Sequence, residues 1–390
     1  ANPWPIVAVT CIGAAMGQFD ASVVQLALPD LAVVFDTRET LASWVALSYV
    51  LAFSAALPVF GRLCAMFGRK RLYLAGMVVF TLASALCGIA TSLPELIVYR
   101  IIQGIGGASL GANSIVILNQ AAGKALRARA MGYFSAAQAV GVSLGPIAGG
   151  LLLGFFGWQA IFWVTVPIGL LGAVAGWLVL PDDTERDRQP FDWQGALLLG
   201  PALVCLVIVL NHIADWGIAS LPALAFGLGG IVLLACFILR EKRTPSPLID
   251  LGIFASKPFS LGVVAVLLSY ALLYGMFYLM SYAAIRGLHE PPERAGLRLS
   301  AIPIALGIAA PFAGALVKRH GTATLALFGM ALAAAALATL SLVALEPIPS
   351  RTIGMIALAV FGAGLGFFMA PNNSATMGAA PARFAARPAR

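Results

Sequence analysis

The chain has 390 residues, of which 61% are hydrophobic and only 10% are charged, and its formal net charge is +8. A soluble domain carries about 25% charged residues and must cover its surface with polar groups, so this composition excludes a soluble globular protein. The five scattered cysteines and three histidines show no metal-binding or disulfide spacing, which excludes a disulfide framework and argues against a metal site.

Twelve apolar runs follow one another along the chain, each about as long as the 20-residue helix that a bilayer requires. They lie at 5–33, 42–61, 71–91, 93–118, 128–155, 158–181, 193–214, 220–239, 260–285, 297–317, 322–345 and 352–371. The runs lack the period-2 alternation of a barrel strand, and a segment in lipid must satisfy its own backbone groups. We therefore predict an all-α polytopic membrane protein of about twelve transmembrane helices.

Lys and Arg are distributed unevenly between the two ends of these predicted spans. If the N-terminus is cytoplasmic, 18 of the 24 basic residues lie inside, five lie outside, and Arg100 lies within a span. This bias follows the positive-inside rule and predicts a cytoplasmic N-terminus. Because the position of the charges accounts for the net positive charge, we expect a lipid bilayer and no nucleic acid as the partner.

One ionisable side chain, Asp20, lies inside the first span, in GQFDASVVQLALPD. A carboxyl group at membrane depth is costly and typical of a functional site, where it can take up and release a proton. The alternative is a structural carboxylate that a neighbouring helix satisfies. Asp30, near the outer end of the same span, fits an ordinary interface position.

A glycine-rich and basic segment, GRLCAMFGRKR, connects the second and third spans on the cytoplasmic side. Its notable positions are Gly61, Gly68, Arg69, Lys70 and Arg71. We predict a tight turn with a positive φ at Gly68, and basic side chains that anchor at the anionic inner leaflet. The alternative is that the charges serve only as a topology anchor.

The fourth span contains Arg100, about seven residues from its outer end and therefore roughly 10 Å deep. An arginine at this depth is expected to face the helix bundle and pair with a carboxylate or a carbonyl. Gln103 lies three residues later on the same helix face. Structural pairing and a direct role in transport both remain open for this pair.

The fifth span carries GVSLGPIAGG, in which small residues recur every four positions and a proline follows. The motif residues are Gly141, Gly145, Pro146, Gly149 and Gly150. Such a face allows close contact between helices, and Pro146 predicts a kink. Close packing alone and a role in gating are compatible alternatives.

The pattern P-x-x-G-x-L-x-x-x-x-G occurs at 58–68 and again at 311–321. Coincidence in a glycine-rich chain is the alternative to a two-fold internal repeat, which is a common plan of secondary transporters. The two copies are 253 residues apart, about two helices more than a six-span unit. We therefore predict an N-terminal bundle at 1–181, a linker with two inserted helices at 182–258, and a four-helix C-terminal bundle at 259–390.

Three aromatic residues lie at helical spacing in the ninth span: Tyr270, Tyr274 and Phe277. They are candidates for the wall of a substrate cavity. Packing or lipid-facing aromatic residues would show the same spacing.

Taken together, these segments resemble the major facilitator superfamily. GRLCAMFGRKR is similar to its loop signature, YRIIQGIGG to its fourth-helix signature, and GVSLGPIAGG to its antiporter signature in helix five. Three further segments resemble the fourteen-span drug:proton antiporters of the EmrB/QacA type. They are QFDASVVQLALP, GWQAIFWVTVPIG (157–169) and PNNSATMGA (371–379), the last similar to the segment after helix twelve.

The resemblance implies that Asp20 is the membrane-embedded carboxylate, that Arg100 is the functional arginine, and that Gly145 and Pro146 belong to the antiporter motif. Ala65 departs from the family, which usually has an acidic residue there that locks two bundles together in one state. The resemblance also implies two further spans after the twelfth, so we expect the second bundle of this sequence to be short by two helices.

The resulting prediction is a proton-coupled multidrug efflux antiporter that works by alternating access. We expect it to be a monomer in the bacterial cytoplasmic membrane, with protons and apolar, cationic small molecules as ligands and with no cofactor or metal. The alternatives are a specific metabolite transporter of the same superfamily and a truncated remnant that does not transport. We find no nucleophile–base pair or phosphate-binding loop, so we do not predict an enzyme.

Overall fold

The computed structural model describes residues 2–182, 191–244, 247–344 and 350–379. In chain order the α-helices are α1 (Trp4–Val34), α2 (Glu39–Ala42), α3 (Trp44–Phe67), α4 (Arg69–Cys87), α5 (Leu93–Phe156), α6 (Ala160–Trp163), α7 (Thr165–Val179), α8 (Trp193–Trp216), α9 (Leu221–Glu241), α10 (Lys257–Tyr282), α11 (Pro292–Leu299), α12 (Ala301–His320), α13 (Thr322–Ala344) and α14 (Arg351–Gly378). A short 3-10 helix (Leu251–Ala255) precedes α10, and a π-helical turn (Ala283–Gly287) follows it.

Within the described ranges, twelve helical segments are long and apolar enough to cross a membrane. They correspond one to one with the predicted spans, so the predicted all-α polytopic fold is confirmed. The helix α5 contributes two of them, because Gly123 interrupts its helical backbone with φ 59° and ψ −177°. The short helices α2 and α11 extend the spans formed by α3 and α12.

The last span is longer than predicted. We placed its end at residue 371 and read PNNSATMGA as a segment outside the helix, but α14 continues through Pro371 to Gly378. The polar side chains of this segment find local partners. Asn372 donates to the Gly262 carbonyl at 3.2 Å, and the Thr376 hydroxyl donates to the Asn372 carbonyl at 2.7 Å. These hydrogen bonds let a polar sequence remain helical.

The two copies of the repeated motif have the same local structure. In each, a helix ends immediately before a glycine with positive φ, which is 108° at Gly68 and 79° at Gly321. Each glycine N–H donates to the carbonyl four residues earlier, at 3.2 Å from Cys64 and 2.9 Å from Val317. The next helix begins at the following residue. The predicted positive φ at Gly68 is confirmed, and glycine is required because a Cβ disfavours this backbone region.

The chain divides into two compact units. Unit 1 comprises Ala1–Val24, Leu28–Gly141 and Phe156–Leu251, and unit 2 comprises Gln25–Ala27, Val142–Phe155 and Gly252–Arg390. Unit 1 therefore includes α8 and α9, the two helices predicted to be inserted. The boundary inside α5 falls within the glycine motif, directly after Gly141.

The interior of unit 1 combines apolar packing with a few buried polar bonds. An apolar cluster joins α1, α3, α4 and α5 and includes Met16, Met77 and Phe80. The Tyr73 hydroxyl donates to the Val9 carbonyl at 3.0 Å and ties α4 to α1. Near the end of α8, the Asn211 amide donates to the Ser43 hydroxyl at 3.0 Å, which connects α8 to the start of α3.

Unit 2 is built around α14, which packs closely against α12 and α13. Its apolar cluster includes Phe277, Ile302, Phe361 and Leu365, all of which are almost completely buried. Lipid tails are as apolar as these side chains, so close van der Waals contact rather than escape from water holds such helices together.

Candidate functional site

Three side chains that the sequence placed on two different spans meet in the interior of unit 1. Asp20 on α1 and Gln103 on α5 are 0% exposed, and Arg100 on α5 is 1% exposed. The Arg100 Nη1 donates to Asp20 Oδ2 at 2.7 Å and to Gln103 Oε1 at 2.6 Å. The Gln103 Nε2 donates to Asp20 Oδ1 at 2.8 Å. The three residues thus form a closed ring of hydrogen bonds, which we call the buried triad.

Arg100 is held on several sides. Its Nε donates to the Val45 carbonyl of α3 at 2.9 Å. The guanidinium carbon lies 4.3 Å from the ring centroid of Tyr49 and 5.7 Å from that of Phe162, within the range of cation–π attraction. The fork of the guanidinium thereby links α5 to α1 and α3 at one point, which a lysine ammonium could not reproduce.

Both oxygens of Asp20 accept hydrogen bonds from protein donors. The Gln103 side chain can donate from its nitrogen to Asp20 only while its oxygen faces Arg100. The Cys87 thiol lies 3.8 Å from the same oxygen. The arrangement therefore fixes the orientation of all three side chains. In this structure the carboxylate contacts neither a cavity nor solvent.

The electrostatic balance of the buried triad depends on one proton. Two opposite charges buried together offset part of each other's desolvation cost, whereas a single buried charge without its partner is strongly destabilising. A proton on Asp20 would cancel the carboxylate charge and leave the Arg100 charge uncompensated. The contact of α1 with α5 therefore includes a buried pair of opposite charges whose two members depend on each other.

The sequence missed three partners of the buried triad: Val45, Tyr49 and Phe162. Arg100 was predicted to pair with a carboxylate or a carbonyl, and it does both. The partners of Arg100 outside its own helix come from α1, α3 and α6. Spacing along the chain does not indicate which of these residues meet. The aromatic residues at 49 and 162 are indistinguishable in the sequence from ordinary apolar residues of a span.

The glycine motif of α5 makes close backbone contacts. A Cβ added at Gly141 would clash with the Ala15 carbonyl of α1, and one at Gly150 would lie 2.6 Å from the Pro292 carbonyl of α11. From the opposite side, a Cβ on Gly296 of α11 would clash with the Pro146 carbonyl. Gly145 and Gly149 are also buried. These contacts support the predicted small-residue face.

The loop motif lies at the junction of α3 and α4. Gly61 is exposed, and a Cβ added there would meet no atom within 4 Å. Arg69 is half-buried and Arg71 is exposed. The Lys70 ammonium lies 3.0 Å from Asp182, whose side chain is 93% exposed, so this ion pair contributes little to stability.

The three aromatic residues of α10 have different environments. Tyr270 is exposed and stacks on Tyr274, with 6.4 Å between ring centroids. Tyr274 is half-buried and meets Phe277 edge to face at 6.2 Å. Phe277 is 0% exposed inside the apolar cluster of unit 2, so in this structure it offers no surface to a cavity. For the two tyrosines a role in a cavity wall stays a prediction.

Comparison with known proteins identifies the family that the sequence of this chain matches. The family model described as Major Facilitator Superfamily matches residues 10–388. The crystal structure of a D-xylose–proton symporter aligns with a TM-score of 0.66 at 15% sequence identity, covering 97% of this chain and 86% of that one. At this identity the likeness concerns the fold alone.

Three curated relatives align over nearly the whole chain. The tetracenomycin C resistance and export protein of Streptomyces glaucescens is 32% identical over 389 residues, which cover 98% of this chain and 71% of the relative. A multidrug resistance protein B homolog of Mycobacterium tuberculosis (strain H37Rv) is 32% identical, covering 95% and 69%. The riboflavin transporter RibZ of Clostridioides difficile is 28% identical, covering 97% and 81%.

Proposed function

We propose that this chain, which belongs to the major facilitator superfamily, is an exporter that couples the outward movement of apolar, cationic compounds to the inward movement of protons. The observation that carries the proposal is the buried pair of Asp20 and Arg100, 2.7 Å apart. A carboxyl group at membrane depth that is paired with one fixed cation is suited to exchange a proton.

In the proposed cycle, the proton competes with the guanidinium of Arg100 for Asp20. With Asp20 ionised, the buried triad is closed and α1 is held to α5. With Asp20 protonated, the charge-assisted hydrogen bond is lost, while Arg100 keeps the Val45 carbonyl and the Tyr49 ring. The contact of α1 with α5 then weakens, and the two states of this contact bias the two ends of an alternating-access cycle.

The small residues of α5 support a transporter that changes shape. A helix face that packs backbone to backbone can slide or rock with little steric obstruction from side chains. Gly150 and Gly296 provide such a contact between α5 and α11. We propose that this contact persists while the surrounding helices rearrange, which would make it a pivot.

The direction and the substrate class rest on the relatives. Two of them are named for resistance to, or export of, compounds. A cationic substrate is proposed because its outward movement in exchange for one inward proton moves no net charge, so the proton gradient can drive it. Neither the family nor the site suggests an enzyme.

Everted membrane vesicles from cells that express the chain test this proposal. We expect ethidium to accumulate in vesicles whose lumen has been acidified by respiration, and an uncoupler to abolish the accumulation. Vesicles with Asp30→Asn, a change of another carboxyl group on α1, should behave as the unmodified protein does. Accumulation that persists in the uncoupler would refute proton coupling, and no accumulation of any cationic dye in a panel would refute drug export.

A second candidate function is the transport of one specific metabolite, which the relative named riboflavin transporter favours. The two candidates differ in cavity chemistry rather than in the buried triad. Uptake of radiolabelled riboflavin by expressing cells, together with an absence of resistance to cationic dyes, would support this alternative over multidrug export.

A further inference from the structure

An apolar groove runs along one side of unit 2. It has a volume of about 540 Å³ and lies between α11–α12 and α14, with one residue of α5. Its lining residues are Ile147, Leu297, Ser300, Ala301, Ile304, Ala305, Ile308, Met355 and Ala359. The volume lies within the range of about 300–1,000 Å³ that is typical of small-molecule sites.

The groove offers no free polar group to an occupant along its length. Ser300 is the one polar residue in its lining, and its hydroxyl already donates to the Leu297 carbonyl at 2.6 Å. Several lining side chains, such as Ile304, Ile308 and Met355, are substantially exposed. An occupant that fits this surface is aliphatic and needs no hydrogen bond inside the groove.

One end of the groove is positively charged. Arg298 follows the lining residue Leu297 on α11, and Arg351 precedes the lining residue Met355 by one turn on α14. Both guanidinium groups approach Oε1 of the buried Glu290, at 2.6 Å from Arg298 and 3.4 Å from Arg351. One carboxylate cannot neutralise two guanidinium groups, so the cluster has one excess positive charge.

Arg351 is the arginine that remains available to a ligand. Its side chain is 61% exposed, against 16% for that of Arg298, and its contact with Glu290 is the longer of the two. Its position at the first residue of α14 adds the partial positive charge of a helix N-terminus. Among the residues that the structure describes, Glu293 and Arg294, earlier on α11, cancel each other in formal charge and leave the excess unchanged.

The length of the groove matches one leaflet of a bilayer. From Leu297 to Ile308 the helical rise is about 16 Å. Half of the hydrocarbon core of a bilayer is about 15 Å thick. The groove is therefore about as long as an acyl chain that spans one leaflet.

We propose that this groove binds a phospholipid of the leaflet at the Arg351 end of the helices, with an acyl chain along Ile304 and Ile308 and an anionic headgroup on Arg351. The combination of an aliphatic channel and one excess guanidinium is complementary to such a lipid. Arginine recognises phosphate oxygens through its paired N–H donors, which an apolar drug would leave unused.

Native mass spectrometry of the purified 390-residue chain tests the proposal. The protein is transferred from nanodiscs that contain equal amounts of phosphatidylglycerol and phosphatidylcholine with the same acyl chains. We expect phosphatidylglycerol to be retained preferentially. Arg351→Gln should reduce the preference by about five-fold, as loss of one exposed charge pair implies, and should leave total lipid binding nearly unchanged.

Two substitutions fill the groove from opposite walls: Ala305→Trp from α12 and Ala359→Trp from α14. Either one should abolish retention of the lipid. The matched controls are Leu327→Trp, which adds the same side chain at an exposed position of α13, and Arg38→Gln, which removes an exposed arginine of unit 1. Both controls should retain phosphatidylglycerol as the unmodified protein does.

Three results would overturn the proposal. The first is equal retention of the two lipids by the unmodified protein, and the second is retention that survives both groove-filling substitutions. The third is displacement of the bound lipid by ethidium, together with loss of ethidium binding in Ala305→Trp, which would assign the groove to the transported compound instead.

Discussion

The carboxylate of Asp20 and the guanidinium of Arg100 are 80 residues apart in the sequence and meet at 2.7 Å, with both side chains almost completely buried. Each was a separate candidate in the sequence, and each has an ordinary structural explanation by itself. Their contact makes them one site. Arg100 also donates to the Val45 carbonyl, so the same site includes α3.

Replacing Asp20 with Asn should abolish proton-driven efflux. The amide has nearly the same shape and can still accept from Arg100, but it cannot carry a proton through a cycle. Because Arg100 loses its counter-charge, we expect a stability loss of up to about 3 kcal/mol, visible as a lower melting temperature in detergent. Exchange of external for internal dye, which needs no net proton movement, should persist, and a complete loss of exchange would point to misfolding instead.

Asp30→Asn is the matched control, since it removes another carboxyl group from the same helix. Its efflux rate should remain within about two-fold of the unmodified rate, as is usual for a substitution outside such a site. If Asp30→Asn and Asp20→Asn lose transport equally, position 20 has no special role.

Replacing Arg100 with Lys should reduce transport at least ten-fold even though the charge is kept. A lysine ammonium cannot donate to Asp20, Gln103 and the Val45 carbonyl in the geometry of the guanidinium fork.

The double variant Asp20→Asn/Arg100→Gln should be more stable than the sum of the single losses predicts, because it leaves no lone buried charge. Thermal unfolding of the unmodified protein, Asp20→Asn, Arg100→Gln and the double variant measures this coupling. Strictly additive losses of stability would contradict it.

The contact of α5 with α11 should tolerate no Cβ. Gly296→Ala places a methyl group against the Pro146 carbonyl, so we expect a destabilisation of about 1–3 kcal/mol and a marked fall in the efflux rate. Gly307→Ala is the control, because a Cβ there meets no atom within 4 Å and alanine favours the helix. Equal behaviour of the two variants in melting and transport assays would show that close approach at Gly296 is unimportant.

The turn between α3 and α4 should require glycine at position 68 but not at position 61. Gly68 has φ 108°, where an alanine is strained, whereas Gly61 is helical and has open space around it. We expect Gly68→Ala to lower the free energy of unfolding by about 1 kcal/mol or more, and Gly61→Ala to be neutral or slightly stabilising. Comparison of the two melting temperatures in one detergent checks this difference.

Most of the helical framework could be predicted from the sequence, because the length of an apolar run directly reflects bilayer thickness. The repeated motif also predicted local structure, since a glycine between two apolar runs indicates a backbone that other residues avoid. The predicted end of α14 was wrong. The helix continues past Pro371, and the Asn372 side chain donates to the Gly262 carbonyl, a tertiary partner that the local sequence cannot show.

The candidate site was predictable in its members but not in its connections. Depth in the membrane identified Asp20 and Arg100, and helical spacing added Gln103. Spacing along one chain carries no information about which face of α1 meets which face of α5, so the ring of hydrogen bonds could not be predicted. The groove of unit 2 was invisible for the same reason, because its walls come from three separate stretches of sequence.

The most direct test of the central claim, that Asp20 carries the transported proton, is proton release by the purified protein. Ethidium is added to the protein in unbuffered detergent solution, and a pH indicator follows the solution. For protein in which Asp20 starts protonated, we predict that the unmodified chain and Asp30→Asn release about one proton for each bound dye, and that Asp20→Asn binds dye without releasing any. Proton release by Asp20→Asn that equals that of the unmodified protein would contradict the account.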